Sequence, residues 1–151
     1  MRTENLGVEP KIFEELMERV EEIPFYQYVG FEVESVRPGG AVVSVQTMPA
    51  YSNINDTIHG GVIMAVADAS MATAVRTLGV KTTTVQLETS FLRSGKVGAK
   101  LTARADVVKF GRRIVFCESM VFCEGQEIAS VKATFFRTGM LLPEQSAGED
   151  K

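Results

Sequence analysis

Residues 53–78, NINDTIHGGVIMAVADASMATAVRTL, decide how the rest of the chain is interpreted. The stretch opens with turn-forming residues, reaches His59-Gly60-Gly61, and then continues over 62–78 without proline or glycine. Apolar side chains in this run cover nearly every direction of a helical wheel, which is typical of a helix that is buried on all sides. Polar residues interrupt the run too often for it to span a membrane. The pattern therefore predicts one long, buried helix.

One carboxylate, Asp68, lies in the middle of this apolar run. A buried carboxylate is costly unless it is paired or hydrogen-bonded, and burial raises its pKa. Because burial removes water from it, such a carboxylate is a plausible general base or nucleophile. The alternative is a buried polar group whose hydrogen bonds are satisfied and which has no chemical role.

The start of the helix is a second chemical feature. Free backbone N–H groups at a helix N-terminus, with the helix dipole behind them, can stabilise an oxyanion. Gly60 and Gly61 let a carbonyl group approach this end closely. Two alternatives remain open, namely an ordinary helix-start turn for the glycines and a loop-shaping hydrogen bond for His59.

Length and composition limit the classes of protein to consider. The 151-residue chain has the length of one domain, and its net charge of -3 argues against general binding of nucleic acid. The polar N-terminus does not look like a signal peptide, so we expect a cytoplasmic protein. A single histidine and the lack of clustered ligands argue against a metal site. Cys117 and Cys123 are expected to be buried thiols rather than a disulfide, metal or redox pair.

The remaining periodicities predict one helix and two strands before the central helix, and four strands after it. Residues 10–23 form an amphipathic pattern that starts at Pro10 and is closed by Pro24, and Gly79 is a suitable C-cap for the central helix. Strand patterns separated by turn residues occupy 29–36, 41–48, 81–92, 99–109, 112–123 and 126–137. This order predicts an α+β fold in which a broad antiparallel sheet wraps around one long helix.

The strand pattern at 114–123 is apolar on both faces. An antiparallel sheet with one solvated face should alternate apolar and polar residues. We therefore expect the second face to be covered, either by another copy of the sheet or by the N-terminal helix.

A buried helix introduced by Asn-x5-His-Gly-Gly, with an acid seven residues after the second glycine and four long strands behind it, resembles the hotdog-fold thioesterases. It is most similar to the phenylacetic-acid-type branch of that superfamily. Where many relatives have glycine three residues before the histidine, this chain has Asp56. The resemblance covers 25–138, which we expect to be the hotdog domain. Residues 1–24 would be an N-terminal segment with a short helix, and 139–151 a polar, disordered tail.

The resemblance implies an enzyme that hydrolyses acyl-CoA thioesters without metal or cofactor and works as a homodimer or a dimer of dimers. It assigns Asp68 as general base or nucleophile. It places Asn53, His59 and Gly61 on the acyl-binding and oxyanion side. Thr84 falls near a hydroxyl position that can help to orient water. Acyl-CoA is the expected partner, with neither nucleic acid nor membrane involved.

Helix geometry independently predicts a shared site. Nine residues separate His59 from Asp68, which is roughly 13 Å along a helix with a rise of about 1.5 Å per residue. One substrate carbonyl cannot contact both in the same chain. If both are catalytic, two antiparallel helices from two subunits must bring the helix start of one beside the aspartate of the other. A twofold dimer does this twice.

An excess of positive charge lies in 93–113 of an otherwise acidic chain. Such an excess can meet the phosphates of CoA. The alternative is that these side chains occupy ordinary solvated strand positions. We expect the CoA thioester to be bound by residues at the helix start, strand ends and turns, namely Gly60, Arg93, Lys109 and Arg112.

Two other functions remain open. A non-catalytic acyl-CoA binding or sensing module would usually need an output domain, for which the chain leaves no room. A hotdog hydratase acting on enoyl thioesters would need an Asp/His pair, and His59 is too far along the helix from Asp68 to form one. The identity of the acyl group is not predicted.

Overall fold

The computed structural model describes residues 2–143. Its elements in chain order are β1 (Glu4–Asn5), α1 (Pro10–Glu21), α2 (Pro24–Val29), β2 (Phe31–Arg37), β3 (Gly40–Gln46), α3 (Gly60–Arg76), β4 (Val80–Phe91), β5 (Lys100–Phe110), β6 (Ile114–Cys123) and β7 (Gln126–Met140). A single 3-10 turn at Pro49–Tyr51 precedes the loop that leads into α3.

The seven strands form one sheet in the order β1-β2-β3-β5-β6-β7-β4. The short β1 pairs with β2 in parallel, and every other neighbouring pair is antiparallel. Helix α3 contacts all six longer strands. Alternate residues of β6, among them Val115 and Val121, are buried in the core that the sheet shares with this helix. The predicted arrangement of an antiparallel sheet around one central helix is confirmed.

Helix α3 is less buried than the sequence predicts. Ten of its residues are buried, namely Ile63, Val66, Ala67, Ala69, Ser70, Met71, Ala72, Thr73, Ala74 and Val75. Gly61, Ala65, Asp68 and Arg76 are exposed or half-buried and follow one another along one side. We call these four residues the α3 stripe. Burial on all sides is therefore wrong for the single chain, because the elements within residues 2–143 leave the stripe partly open.

The helix ends differ from prediction in two places. The C-cap of α3 is Thr77, and Gly79 lies two residues further on with a φ of 81°, where it helps to turn the chain into β4. Pro24 closes the first helix as predicted, but it also begins α2. The six residues of α2 are too few to show a helical period in the sequence.

The outer face of β6 is not covered within the chain. Phe116 is 45% exposed there, and Val108 and Phe136 on the flanking strands are exposed as well. Helix α1 instead lies near the C-terminal end of α3, where its Leu16 lines a pocket together with Arg76. Coverage by the N-terminal helix is therefore wrong, whereas association with a second sheet stays a prediction.

The last strand ends slightly beyond the predicted domain boundary. Strand β7 continues to Met140, past the predicted domain boundary at 138, and the predicted tail from 144 onward lies outside the described residues. Cys117 and Cys123 are buried free thiols, as predicted, and burial raises the pKa of Cys117 to about 12. Within residues 2–143, no helix has the length and apolar content needed to cross a membrane.

Candidate active site

The candidate site centres on Asp68 in the middle of the α3 stripe. Thr84 on β4 donates a hydrogen bond from its Oγ1 to Asp68 Oδ1 at 3.0 Å. Helix α3 packs beside β4, so residues that are distant in sequence meet across the seam between helix and strand. The structure therefore brings together two of the residues that the sequence singled out.

A bulge in β4 helps to direct Thr84 toward the helix. The register between β4 and β7 shifts between Thr84 and Gln86, which leaves Val85 as an extra residue without a partner. Bulges bend a strand and change the direction of neighbouring side chains, and they are common next to active sites. Thr84 itself pairs with Phe135, which is buried in the core on the helix side of the sheet.

The protonation of Asp68 is shifted by its surroundings. Burial raises the pKa of its carboxyl group above the ordinary value, while the hydrogen bond from Thr84 and the positive charge of Arg76 oppose this effect. The net direction is upward, as expected for a carboxylate within an apolar helix. A carboxylate with a raised pKa accepts a proton more readily, which a general base requires.

His59 caps the start of α3. Its Nδ1 accepts a hydrogen bond from the Gly61 N–H at 2.9 Å, so the neutral ring carries its proton on Nε2. This is the loop-shaping hydrogen bond that was the structural alternative for His59. The Gly61 N–H is thus already used, whereas no hydrogen bond within residues 2–143 uses the Gly60 N–H. In the described part of the chain, the Gly60 N–H is therefore an unpaired backbone donor at the helix start.

Asn53 organises the loop before the helix. Its Oδ1 accepts hydrogen bonds from the backbone N–H groups of Asn55 and Thr57, and its Nδ2 donates to Thr57 Oγ1 at 2.9 Å. Asp56 in this loop has a φ of 56°, a left-handed conformation that glycine adopts freely and aspartate tolerates. Asp56 therefore fits at the position where many relatives have glycine.

A groove runs beside the helix start, lined in part by Asn53, Gly60, Phe91 and Arg93. The ring of Phe91 packs against Gly60, where an added Cβ would come within 3.0 Å of the ring Cζ. A side chain at position 60 would therefore displace Phe91 and narrow the groove. Arg93 is held there by a hydrogen bond from its Nη1 to the Glu127 carbonyl oxygen at 3.3 Å.

The predicted cationic residues lie at opposite ends of the sheet. The Arg93 N–H donates to the carbonyl of Ile128, near the start of β7. Lys109 and Arg112 lie at the hairpin between β5 and β6. The first residue of β6, Ile114, pairs with Phe136 near the other end of β7. Eight residues of strand separate the two ends, or about 26 Å. A single chain does not bring Arg93 and Arg112 to the same phosphate.

The helix start and the aspartate are also apart. Helix α3 is unbroken from Gly60 to Arg76, so the separation of roughly 13 Å along its axis between His59 and Asp68 stands.

In the part of the chain that the structure describes, no group of three or more His, Cys, Asp and Glu side chains could hold a metal ion.

Two residues near Asp68 were missed from the sequence. Tyr26 on α2 donates from its hydroxyl to the Ala69 carbonyl at 3.4 Å, and burial raises the pKa of this phenol. Arg76 acts on the pKa values of both Tyr26 and Asp68. The spacing of Arg76 from Asp68 signals a shared helix face. Tyr26 gave no signal, because α2 itself was not predicted.

Comparisons with known proteins agree with this architecture. A family model described as "Thioesterase superfamily" matches residues 55–130, half of the chain. The acyl-coenzyme A thioesterase PaaI of Escherichia coli K12 is 31% identical over 85 residues, which cover 56% of this chain and 61% of that protein.

Solved structures share the whole fold. The E. coli PaaI protein from the phenylacetic acid degradation operon superposes with a TM-score of 0.84 at 23% identity, covering 89% of this chain and 98% of that one. A hypothetical thioesterase protein with coenzyme A from Streptococcus pneumoniae TIGR4 has a TM-score of 0.70 at 26% identity, covering 73% and 90%. The fold is the predicted hotdog fold. On the family match, the chain belongs to the thioesterase superfamily, as a thioester hydrolase of the PaaI-like type.

Proposed function

We propose that this protein hydrolyses acyl-CoA thioesters to a free carboxylic acid and CoA, with Asp68 as general base or nucleophile. The observation that carries the proposal is the hydrogen bond from Thr84 to Asp68, which holds a carboxylate of raised pKa on the accessible α3 stripe. A carboxylate of raised pKa takes up a proton more readily than an ordinary one, as a general base must.

Two routes are compatible with this placement. With Asp68 as base, water attacks the carbonyl carbon while its proton passes to the carboxylate; the C–S bond then breaks and the CoA thiolate takes up a proton. With Asp68 as nucleophile, an acyl–aspartate anhydride forms as the thiolate leaves, and water hydrolyses the anhydride to restore the carboxylate. The hydrogen bond from Thr84 keeps one carboxylate oxygen in place on either route.

Negative charge develops on the carbonyl oxygen in both routes. We assign its stabilisation to the Gly60 N–H and the α3 dipole, because the Gly61 N–H already binds His59 Nδ1. The Nε2–H of His59 would be a second donor at the same end. In this assignment Gly61 and Asn53 shape the helix start, and His59 both shapes it and donates.

We further propose that each site is shared between two subunits of a homodimer. Strand β4 is the edge of the sheet, and its twelve residues have no partner beyond β7 within residues 2–143. A long uncovered edge is a surface for pairing with another chain. Because the α3 stripe lies beside this edge, a twofold-related copy would set the Gly60 end of one helix beside Asp68 of the other. The exposed Phe116 face would then join two dimers.

Relatives support the substrate class and the two central residues. The Escherichia coli relative is an acyl-coenzyme A thioesterase, and the Streptococcus pneumoniae structure contains coenzyme A. Alanine variants of the latter protein have been solved at an aspartate and at a threonine sixteen positions later. Asp68 and Thr84 have the same spacing in this chain.

The basic residues at the two ends of the sheet lead to a prediction about CoA binding. Arg93→Gln and Arg112→Gln should each raise KM for an acyl-CoA several-fold with little change in kcat, because phosphate contacts lie far from the reacting carbon. The increase should shrink with an acyl-pantetheine that lacks the nucleotide. Arg104→Gln is the matched control, since this arginine stacks over Phe122 at 5.0 Å on the outer face. Equal losses on both substrates would count against the assignment.

The function itself is tested by thiol release from a panel of short, long and aryl acyl-CoAs, measured with a thiol reagent. We expect at least one of them to be hydrolysed far above the uncatalysed rate, with free CoA and free acid in equal amounts. Tight binding of acyl-CoA without release of thiol across the panel would favour the non-catalytic binding module instead.

A further inference from the structure

A second pocket lies where α1 passes the C-terminal end of α3 and the first residues of β4. Its volume is 450 Å³, within the range of small-molecule sites. The fully buried side chains of Leu16 and Leu141 contribute to its apolar floor. Neither the family match nor the proposed role of Asp68 accounts for this pocket.

The polar wall of the pocket is mainly cationic. Arg76 and Lys81 line it, and within residues 2–143 neither forms an ion pair. Arg19 also lines it but is paired with Glu15, and Glu22 is the one carboxylate in the lining.

Two threonines, Thr82 and Thr138, also line the pocket. The Oγ1 of Thr82 has almost no accessible surface and no hydrogen-bond partner in the described part of the chain, so a group bound in the pocket does not reach it. Thr138, which also lines the pocket, is the extra residue where the β4–β7 register shifts next to Thr82. Two cationic groups over an apolar floor suit an anion attached to a carbon chain.

The pocket lies along the same contact between α3 and β4 as the candidate site. Arg76 is eight residues after Asp68 on α3, about 12 Å along the helix axis. Lys81 is three residues before Thr84 on β4, about 10 Å along the strand. Side chains on a helix generally point back toward its start, and the charge of Arg76 acts on Asp68. A substrate bound at Asp68 can therefore reach the pocket.

We propose that this pocket binds a negatively charged group of the thioester substrate, remote from the reacting carbonyl. The proposal rests on Asp68 being the reaction centre. Carboxylate and phosphate share the chemistry that Arg76 and Lys81 recognise, since the guanidinium offers a planar pair of donors and the ammonium a point charge. The anion is either a carboxylate at the far end of the acyl chain or a phosphate of CoA.

The test compares Arg76→Gln and Lys81→Gln with the control Lys11→Gln, an exposed lysine on α1 outside the pocket. The substrates are hexanoyl-CoA, adipoyl-CoA, which differs by a terminal carboxylate, and the pantetheine thioesters of both acids. Loss of one charge-assisted hydrogen bond should raise KM about tenfold, with kcat affected less. Arg76→Lys should recover part of the loss.

The pattern of KM changes across the four substrates identifies the anion. A KM increase for both CoA thioesters but for neither pantetheine thioester identifies a CoA phosphate. An increase for both adipoyl thioesters alone identifies the acyl carboxylate. Unchanged KM values for all four substrates, in variants that keep the wild-type melting temperature, would overturn the proposal while leaving thioesterase activity in place.

A melting-temperature measurement, which needs no catalysis, separates this proposal from the proposed function. CoA or adipate, whichever supplies the anion, should raise the melting temperature of the wild-type protein and of Lys11→Gln more than that of Lys81→Gln. If wild-type protein releases no thiol from any substrate but shows this difference, the proposed function fails and the pocket stands. Equal shifts for wild type and Lys81→Gln contradict the pocket.

Discussion

Asp68→Asn should lower kcat by about 10² or more while leaving the fold intact, because the amide can neither take a proton from water nor attack a thioester. Asparagine keeps the size of the side chain and an oxygen that can accept the hydrogen bond from Thr84. The measurement is kcat and KM for the best acyl-CoA of the panel, together with the thermal unfolding curve. Near-wild-type turnover would rule out a catalytic role for Asp68.

A companion variant tests the state of the carboxylate. In Thr84→Val the carboxylate loses a hydrogen bond that favours its charged form, so the pKa of Asp68 should rise further. The acid limb of the kcat profile should then move to higher pH while activity at alkaline pH largely returns. Loss of activity by the same factor at every pH would instead assign Thr84 to positioning of the substrate or water.

The raised pKa also fixes how stability depends on pH. Burial disfavours the charged form of Asp68 in the folded state, so ionisation of this group lowers the free energy of unfolding. This destabilisation is absent below the ordinary pKa and grows as the pH rises through the raised pKa of the folded state. At neutral pH, Asp68→Asn should be at least as stable as wild type. This advantage should disappear in acid, where both side chains are neutral. A variant less stable than wild type at neutral pH would show a structural role instead.

The fold follows from sequence patterns that act over many residues. Strand alternation and turn residues locate the six longer strands within a few positions, because each pattern repeats along a whole element. The two-residue β1 and the six-residue α2 carry too little pattern to be predicted. Burial on one side of α3 could not be judged either. Alanine and methionine are compatible with a core and with an interface, so hydropathy does not distinguish them.

The sequence predicts residues for the candidate site but not the hydrogen bonds between them. Asp68 is recognisable as a carboxylate within an apolar run, and the resemblance adds Thr84. The structure shows a hydrogen bond between these two side chains. The roles at the helix start are different. Which of the two glycine N–H groups is free depends on the orientation of the His59 ring, and in the structure its Nδ1 accepts a hydrogen bond from the Gly61 N–H. Spatial separation of Arg93 from Arg112 depends likewise on strand pairing.

Two inactive proteins should regain activity when their subunits are mixed. Asp68→Asn removes the carboxylate of one half-site. In Gly61→Val an added Cβ would lie 3.0 Å from His59 Nδ1, so the cap is displaced and the helix start is blocked. If each site takes its helix start from one chain and Asp68 from the other, a heterodimer has one site with both lesions and one with neither.

Random exchange makes about half of the dimers mixed, each with one intact site of two, so about a quarter of wild-type activity should return. Purification on two different tags isolates the heterodimers, for which about half of the wild-type kcat is expected. The control mixes Asp68→Asn with Thr84→Val. Both lesions then belong to the same half-site, so every site in the heterodimer carries one lesion, and at any pH the mixture should be no more active than the two variants assayed separately. If doubly tagged heterodimers of Asp68→Asn and Gly61→Val are recovered and remain inactive, each site must lie within one chain and the shared-site proposal is wrong.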